Sequence, residues 1–378
     1  MQMFHCRARV HYFDTFAEFA KEFALSDTDL ILTEKIMFSS FVEKLNLPCH
    51  IILKDEYDPG EPKEEVVDAI TLAMKDLTVK RIVAIGGGSV IDIAKILLNK
   101  NVYPCRRLIE GEVPVECDKE LITLPSTCGT GSEVTYGGIY TMKENGLKTA
   151  LMSDRMTSSH AVLVPELIEN LPFRIFVHCS VDALAHAMES YVSATRGNDF
   201  ARAMGAQAIK LILNGYADIL QNGENYRKKI CKQFISASCM AGLAVNNGGA
   251  GPAHALAYPL GEVYHMSHGE SVYQFLGTVM SIYLRENPQG EIIQELAEIV
   301  RKPVERAGFQ VSDTNVFDQM EAMLDKVFPM RKLHEAGMKE EEIETFCDSL
   351  IESKQRLLAA SYVPFTKELM IEAYRRRF

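Results

Sequence analysis

The sequence predicts two units of different class, an α/β domain over residues 1–172 and an all-helical domain over residues 173–378. Three observations predict it. Short apolar runs alternate with helical patterns through the first half. Past "NLPF" (170–173) long helical patterns take over, with no comparable β-rich run among them. The length of 378 residues also suits two domains of ordinary size, each about 100–200 residues.

Taken in order, "DLILT" (29–33) and "CHIILKDEY" (49–57) read as strands. "EPKEEVVDAITLAMKDL" (61–77) reads as a helix with Pro62 near its first turn. Its apolar residues Val66, Val67, Ile70, Met74 and Leu77 follow the helical period. "RIVAI" (81–85) is a buried strand; a glycine run follows, and "VIDIAKILL" (90–98) returns to helix. "ELITLP" (120–125) is another strand, again before a Gly/Ser/Thr turn. Strands alternating with helices imply a parallel sheet covered on its faces. "IYTM" and "KTALMS", across "KENG", read as a hairpin. Helical patterns then occupy 174–193, 198–221 and 224–246 and continue to the C-terminus.

Composition excludes several classes. The net charge is −11, and the basic "YRRRF" at the end is a solvated helix terminus, so no nucleic-acid partner is expected. No run reaches the ~18 apolar residues of a membrane helix, and the first residues lack the apolar stretch of a signal peptide. The nine cysteines are odd in number and form no CxxC, which speaks against a disulfide framework and a thiolate zinc site. The expectation is a cytoplasmic protein.

"VAIGGGSVIDIAK" sets Gly86, Gly87, Gly88 and Ser89 between a strand and a helix. Glycines allow a close approach or a positive φ, and the free amides of the following helix favour a phosphate. The run is not GxGxxG, since Ile91 stands at the third glycine, and no GK[ST] follows. "PSTCGTGSEVT" (125–135) is a second such turn, whose Thr127, Thr130 and Ser132 offer hydroxyls. Two such turns at strand ends suit a nucleotide with a pyrophosphate. Glu34, after "LILT", reads either as an acid that accepts from a ribose hydroxyl and repels the extra phosphate of NADP or as a solvated loop acid.

"SVDALAHAMESYVS" (180–193) puts Asp182 and His186 on one face of an apolar helix. Alone, such a pair is an ordinary helix-surface contact. His254, read as lying at a helix end before a Pro-Leu-Gly turn at 259–261, and His268, at the start of the next helix, complete it. Asp182, His186, His254 and His268 would form an N₃O set suited to Fe²⁺ or Zn²⁺.

Together, "GGGSVIDIAK", "PSTCGTGSEVT", "DALAHAMESYVS" and "HALAYPLGEVYHMSHG" resemble the iron-dependent (group III) alcohol dehydrogenase family. The similarity spans almost the whole chain for the branch acting on 4-hydroxybutyrate and succinic semialdehyde. It includes "YFDTFAEF", "IEGEVP" (109–114) and "AGMKEEEIETFCDSLIESKQRLL" (336–358). The resemblance implies a dinucleotide-binding α/β domain and an all-α domain in a dehydroquinate synthase-like architecture. It implies NAD, a divalent iron or zinc, and a homo-oligomer of two or more chains. By position, Asp182, His186, His254 and His268 are the implied metal ligands. Gly86, Gly87, Gly88, Ser89, Asp92, Thr127, Thr130, Lys148 and Glu34 are the implied cofactor contacts. Many relatives carry a second histidine before "PLG" where this chain has Tyr258, which puts Tyr258 near the chemistry; His265 offers another imidazole there, or else reads as a solvent-facing loop histidine. The expected reaction interconverts 4-hydroxybutyrate and succinic semialdehyde. The alternative within the family is another short alcohol or diol, such as 1,3-propanediol or lactaldehyde. Lys148, Arg155 and His265 are candidates for the cation that meets a substrate carboxylate.

Overall fold

The computed structural model describes residues 4–144 and 146–378 and divides into two compact units. One is Cys6–Asn170; the other is Leu171–Phe378 with the start of the chain, where the His5 N–H donates to Asn247 Oδ1 (2.5 Å).

The first unit runs β1 (Arg9–Tyr12), α1 (Phe16–Glu22), β2 (Asp29–Thr33), α2 (Lys35–Met37), β3 (His50–Leu53), α3 (Glu64–Met74), β4 (Arg81–Gly86), α4 (Gly88–Leu97), α5 (Arg106–Ile109), β5 (Glu120–Pro125), β6 (Gly137–Thr141), β7 (Lys148–Met152) and β8 (His160–Leu163). Six strands form one parallel sheet in the order β1-β8-β5-β4-β2-β3, while β6 and β7 pair antiparallel. Side chains alternate across the sheet, and both faces are buried. Leu30, Leu32, Ile82 and Ala84 pack with α3 and α4 on one face. Ile31, Val83, Ile85, Ile122 and Leu124 pack with Phe16 and Phe19 of α1 on the other. Thr15 and Glu18 form a reciprocal capping box that fixes where α1 begins. From β2 the chain passes outward to β3, then returns on the other side of β2 as β4. The carboxyl ends of β2 and β4 therefore flank the topological switch point, where open parallel sheets bind ligands.

The parallel sheet stands as expected, with differences in detail. The strand over 49–57 stops at Leu53, because Lys54–Glu56 turn and the Lys54 ammonium bonds to the Gly60 carbonyl. The helix expected over 61–77 starts only at Glu64. Before it, Pro62 is held extended, its carbonyl accepting from the Thr141 N–H (2.8 Å). The helix after the glycines begins earlier, at Gly88. Strands β1 and β8 went unread; both are four residues long, too short for a clear period. Asn145, in the "KENG" turn, and the first three residues lie outside the described residues.

The second unit is helical: α6 (Phe173–Val192), α7 (Asp199–Asn222), α8 (Cys231–Gly248), α9 (Pro252–Tyr264), α10 (His268–Glu286), α11 (Glu291–Arg306), α12 (Val316–Val327), α13 (Glu342–Ser353), α14 (Gln355–Ala359) and α15 (Lys367–Arg377). Helix α6 packs against α7, α8 and α10, which explains why it is apolar nearly all round. The pattern over 224–246 divides, with a tight 3₁₀ stretch at Glu224–Ile230 before α8.

One reading is corrected. Pro259-Leu260-Gly261 is no turn: it lies inside α9, and His254 sits near the start of that helix. Proline there removes one backbone donor, while buried Ala255, Leu256, Ala257 and Leu260 on both sides hold the helix together. Helix α9 ends instead at His265, in the left-handed region (φ 52°), whose N–H bonds to the Leu260 carbonyl. Among the described residues no helix is long and apolar enough to cross a membrane.

Candidate active site

The glycine turns leave neighbouring strands. Gly86 of β4 pairs in register with Pro125 of β5, and the Ser126 N–H donates to the Gly86 carbonyl (2.9 Å). Gly87 precedes α4 as its N-cap and Gly88 opens it, so the unpaired amides of that first turn lie at the sheet's carboxyl edge. None of Gly86, Gly87 and Gly88 has a positive φ, which corrects one of the two reasons given for them. The operative reason is space. A Cβ on Gly88 would lie 2.8 Å from the Thr130 methyl, so the two turns touch only because residue 88 has no side chain.

A buried cation ties the second turn down. The Lys95 ammonium donates to Ser132 Oγ (2.8 Å), Thr135 Oγ1 (2.9 Å) and the Gly137 carbonyl (2.7 Å). Burial lowers its pKa, against the opposing pull of Asp92 and Glu133. Asp92 accepts from Ser132 Oγ (2.6 Å) and from the Ile139 N–H (3.1 Å), so its carboxylate is engaged in this scaffold. Ser89 and Thr127 are half-buried and Thr130 is exposed. Lys148, first in β7, pairs with Glu61 (2.7 Å). Glu34 follows β2 half-buried. Burial raises its pKa, Lys54 opposes this, and Asp55 adds to it.

The structure brings Asp182, His186, His254 and His268 together: one ligand atom from each lies within 4.8 Å of all the others. Asp182 Oδ1 is at the centre, 4.0 Å from His186 Nε2, 3.6 Å from His254 Nε2 and 3.5 Å from His268 Nε2. Asp182 and His186 come from α6, one turn apart. His254 comes from the first turn of α9 and His268 opens α10. A side chain on Gly269 would lie 2.2 Å from the His178 carbonyl. Glycine there lets the start of α10 press on α6, one turn before Asp182.

Three observations fit this cluster to a divalent cation. Asp182 Oδ1 and His254 Nε2 are buried with no hydrogen-bond partner. Such groups cost stability unless something satisfies them. Four ligands about 2.1 Å from one tetrahedral ion lie about 3.4 Å apart, close to the 3.5–4.0 Å that separates Asp182 Oδ1 from the three imidazoles. The side chains of Asp182, His186 and His254 are 4%, 12% and 6% exposed, but that of His268 is 47% exposed, leaving an approach on one side.

Glu189 completes the local chemistry. It lies on α6 one further turn on, is 2% exposed, and accepts from the Gly251 N–H (2.9 Å), the Ala253 N–H (2.6 Å) and His254 Nδ1 (2.5 Å). A carboxylate on Nδ1 leaves Nε2 facing the cluster and makes the imidazole a stronger donor. Burial alone would lower the His254 pKa, but Glu189 and Asp182 outweigh it and push it up to about 10. Burial brings His186 down to about 4 against Asp182's pull. Burial would raise Asp182, yet His186, His268 and His254 hold it well below the usual carboxylate range. Sequence reasoning missed Glu189, although Asp182, His186 and Glu189 at i, i+4 and i+7 of an apolar helix mark one face.

The structure does not bring His265 into this cluster; it is exposed at the left-handed end of α9. Tyr258 is half-buried one turn after His254, and the Lys354 ammonium stands 3.5 Å from its ring centroid. Lys354 carried no signal in the sequence.

Comparisons with known proteins place the chain. The family model "Iron-containing alcohol dehydrogenase" matches residues 9–165, and "Fe-containing alcohol dehydrogenase family, C-terminal" matches residues 176–378. The 4-hydroxybutyrate dehydrogenase of Clostridium kluyveri is 40% identical over 380 residues, covering 100% of both chains. The long-chain-alcohol dehydrogenase 1 of Geobacillus thermodenitrificans is 28% identical, over 85% of this chain and 80% of its own. Among solved structures, a sulfoacetaldehyde reductase from Bifidobacterium kashiwanohense in complex with NAD⁺ superposes with a TM-score of 0.82 at 21% identity, covering 100% of this chain and 98% of that one. That likeness shows the shared fold. Matched along nearly its whole length in both halves, the chain belongs to the iron-containing alcohol dehydrogenase family.

Proposed function

We propose that the protein is an NAD-dependent alcohol dehydrogenase that interconverts 4-hydroxybutyrate and succinic semialdehyde. The observation that carries the chemistry is the convergence of Asp182, His186, His254 and His268 around buried atoms that lack partners. The substrate reading is supported by the full-length relative at 40% identity. In the reductive direction succinic semialdehyde, NADH and one proton give 4-hydroxybutyrate and NAD⁺.

Asp182, His186, His254 and His268 hold a divalent cation, Fe²⁺ or alternatively Zn²⁺, and Glu189 fixes the His254 ring. Bound there, the ion supplies Lewis-acid polarisation of the substrate oxygen, and the nicotinamide exchanges the hydride. Gly86, Gly87, Gly88 and Ser89 present backbone amides to the pyrophosphate. Thr127 and Thr130 line the nucleotide's path, and Glu34 accepts from the ribose. Asp92 serves the nucleotide indirectly, through Ser132 and Ile139. Lys148 approaches the nucleotide from the hairpin. Tyr258 flanks the substrate, while His265, exposed at the end of α9, takes no part in the cluster. Residues 1–172 form the nucleotide domain and 173–378 the metal and substrate domain. The nine free cysteines suit the cytoplasm, and the working form is a homo-oligomer.

The test is steady-state oxidation of NADH with succinic semialdehyde, on protein loaded separately with Fe²⁺ and Zn²⁺. Turnover with at least one ion is expected. Absence of turnover with both overturns the assignment.

A further inference from the structure

We infer that Glu270 is a positioning residue for the metal centre: held by Arg174 and Arg331, it fixes the first turn of α10 and so sets where His268 stands. This rests on the metal reading above. Of the four ligands, His268 has the least support of its own. Asp182 and His186 lie well inside α6, and Glu189 holds the ring of His254. His268 is the first residue of its helix, where ends fray, and its side chain is half-exposed.

The local sequence offers a different anchor from the one the fold adopts. "SHGE" (267–270) has Ser at the N-cap and Glu three residues on, the pattern of a reciprocal capping box such as the one that opens α1. Neither side chain caps α10. Ser267 Oγ is hydrogen-bonded instead to His178 Nδ1 of α6 (3.2 Å). Glu270 is buried, and accepts from the Arg174 guanidinium at the start of α6 (2.9 Å) and from Arg331 Nε in the segment after α12 (3.0 Å). The turn is thereby tied to the helix that carries Asp182 and His186.

Contacts with α6 lie on both sides of His268. Ser267 precedes it; Gly269 follows, lying against the His178 carbonyl with no room for a side chain, and Glu270 comes next. One turn further on, α10 holds Arg331 a second time, where Gln274 Nε2 donates to the Arg331 carbonyl (3.1 Å). A carboxylate that accepts from two guanidiniums makes charge-assisted hydrogen bonds, about twice as strong as neutral ones. Glu270 itself is no ligand. It is outside the set of four, and residues two apart lie about 200° round a helix from each other. Its influence on the ion runs through the backbone of α10 to His268.

The test measures the Zn²⁺ affinity of the full chain by competition with a chelator. Wild type, Glu270→Gln and Arg174→Met are compared, each with and without His268→Ala. Glutamine keeps the shape of Glu270, and the two exposed arginines it releases can turn to water, so the variant should fold, as circular dichroism will check. Glu270→Gln is expected to weaken Zn²⁺ binding about tenfold, within the range for groups that orient ligands from behind. Arg174→Met, which removes one of the two arms, should weaken it by a smaller factor. Without His268, Glu270→Gln should change affinity by less than about twofold, because the ligand it positions is gone. If Glu270→Gln does not fold, Arg174→Met with and without His268 gives the same comparison. An affinity within about twofold of wild type in Glu270→Gln overturns the inference. So does an equal loss with and without His268, the mark of a general structural role. A wild type that binds neither Zn²⁺ nor Fe²⁺ would instead overturn the metal reading, and the inference with it.

Discussion

The glycine turns and the Asp182 cluster are built by opposite means. The turns are mostly backbone and small side chains, neighbours because β4 and β5 pair in register. The cluster is all side chains, gathered from α6, α9 and α10 by helix packing. A backbone cradle tolerates change at most of its side chains but not intrusion into its space. A side-chain cluster tolerates intrusion at its rim but not the loss of any member. Substitutions should therefore separate the two.

The largest effect is expected from Asp182→Ala, which removes the central oxygen of the cluster. Lewis-acid stabilisation is worth several kcal/mol, so kcat/KM for succinic semialdehyde should fall about a thousandfold. Elemental analysis should show the ion gone, while NADH binding followed by fluorescence persists. A variant that retains its ion would break the assignment of the cluster.

Glu189→Gln comes next. It keeps the shape but takes away the charge that holds His254, and metal affinity should drop about 10–100-fold in competition with a chelator. Nucleotide affinity should not move. Unchanged metal affinity would reduce Glu189 to a packing residue.

Gly88→Ala probes the other region. Its backbone angle suits alanine, but the new methyl meets the Thr130 methyl at 2.8 Å. Overpacking of this kind costs about 1–3 kcal/mol, to be read as a KM for NADH raised about tenfold or more. Adding Thr130→Ser, which removes the opposing methyl, should recover most of it, and ion content should stay constant throughout. Failure of the second change to rescue would put the fault elsewhere than this contact.

The smallest effect concerns Glu34. Glu34→Gln should shift the NADPH-to-NADH preference by up to about tenfold, the size of one screened repulsion. Its pH dependence has a defined sign. Burial raises the carboxyl's pKa, so as pH falls its charge is lost earlier than for an ordinary glutamate. Wild-type rejection of NADPH should weaken toward acid pH, while the variant shows no such trend. A preference in the wild type that does not change with pH would remove Glu34 from the ribose end.

The same contrast explains what could be read in advance. The glycine turns sit between a strand and a helix, and local pattern reveals both. Asp182 and His186 share a helix face, so their spacing announced them; His254 and His268 stood out as imidazoles in one short stretch. Their convergence needed α9 and α10 to pack on α6, which no local rule supplies. Pro259 misled for the opposite reason: proline is a strong local stop signal, overridden here by burial along α9. Glu189 was legible in its i+7 spacing from Asp182. Lys354 was not legible, since only the folded chain sets it on Tyr258.

Lys95 carries one more consequence. Its three donors join α4, the second turn and the start of β6 in a single buried knot. The loop is thereby ordered when the chain folds. Fixing a backbone residue costs about 1–2 kcal/mol in lost conformational entropy. A ligand that binds this turn would meet a pre-organised surface, and its contacts would register as affinity with little deducted for freezing the loop.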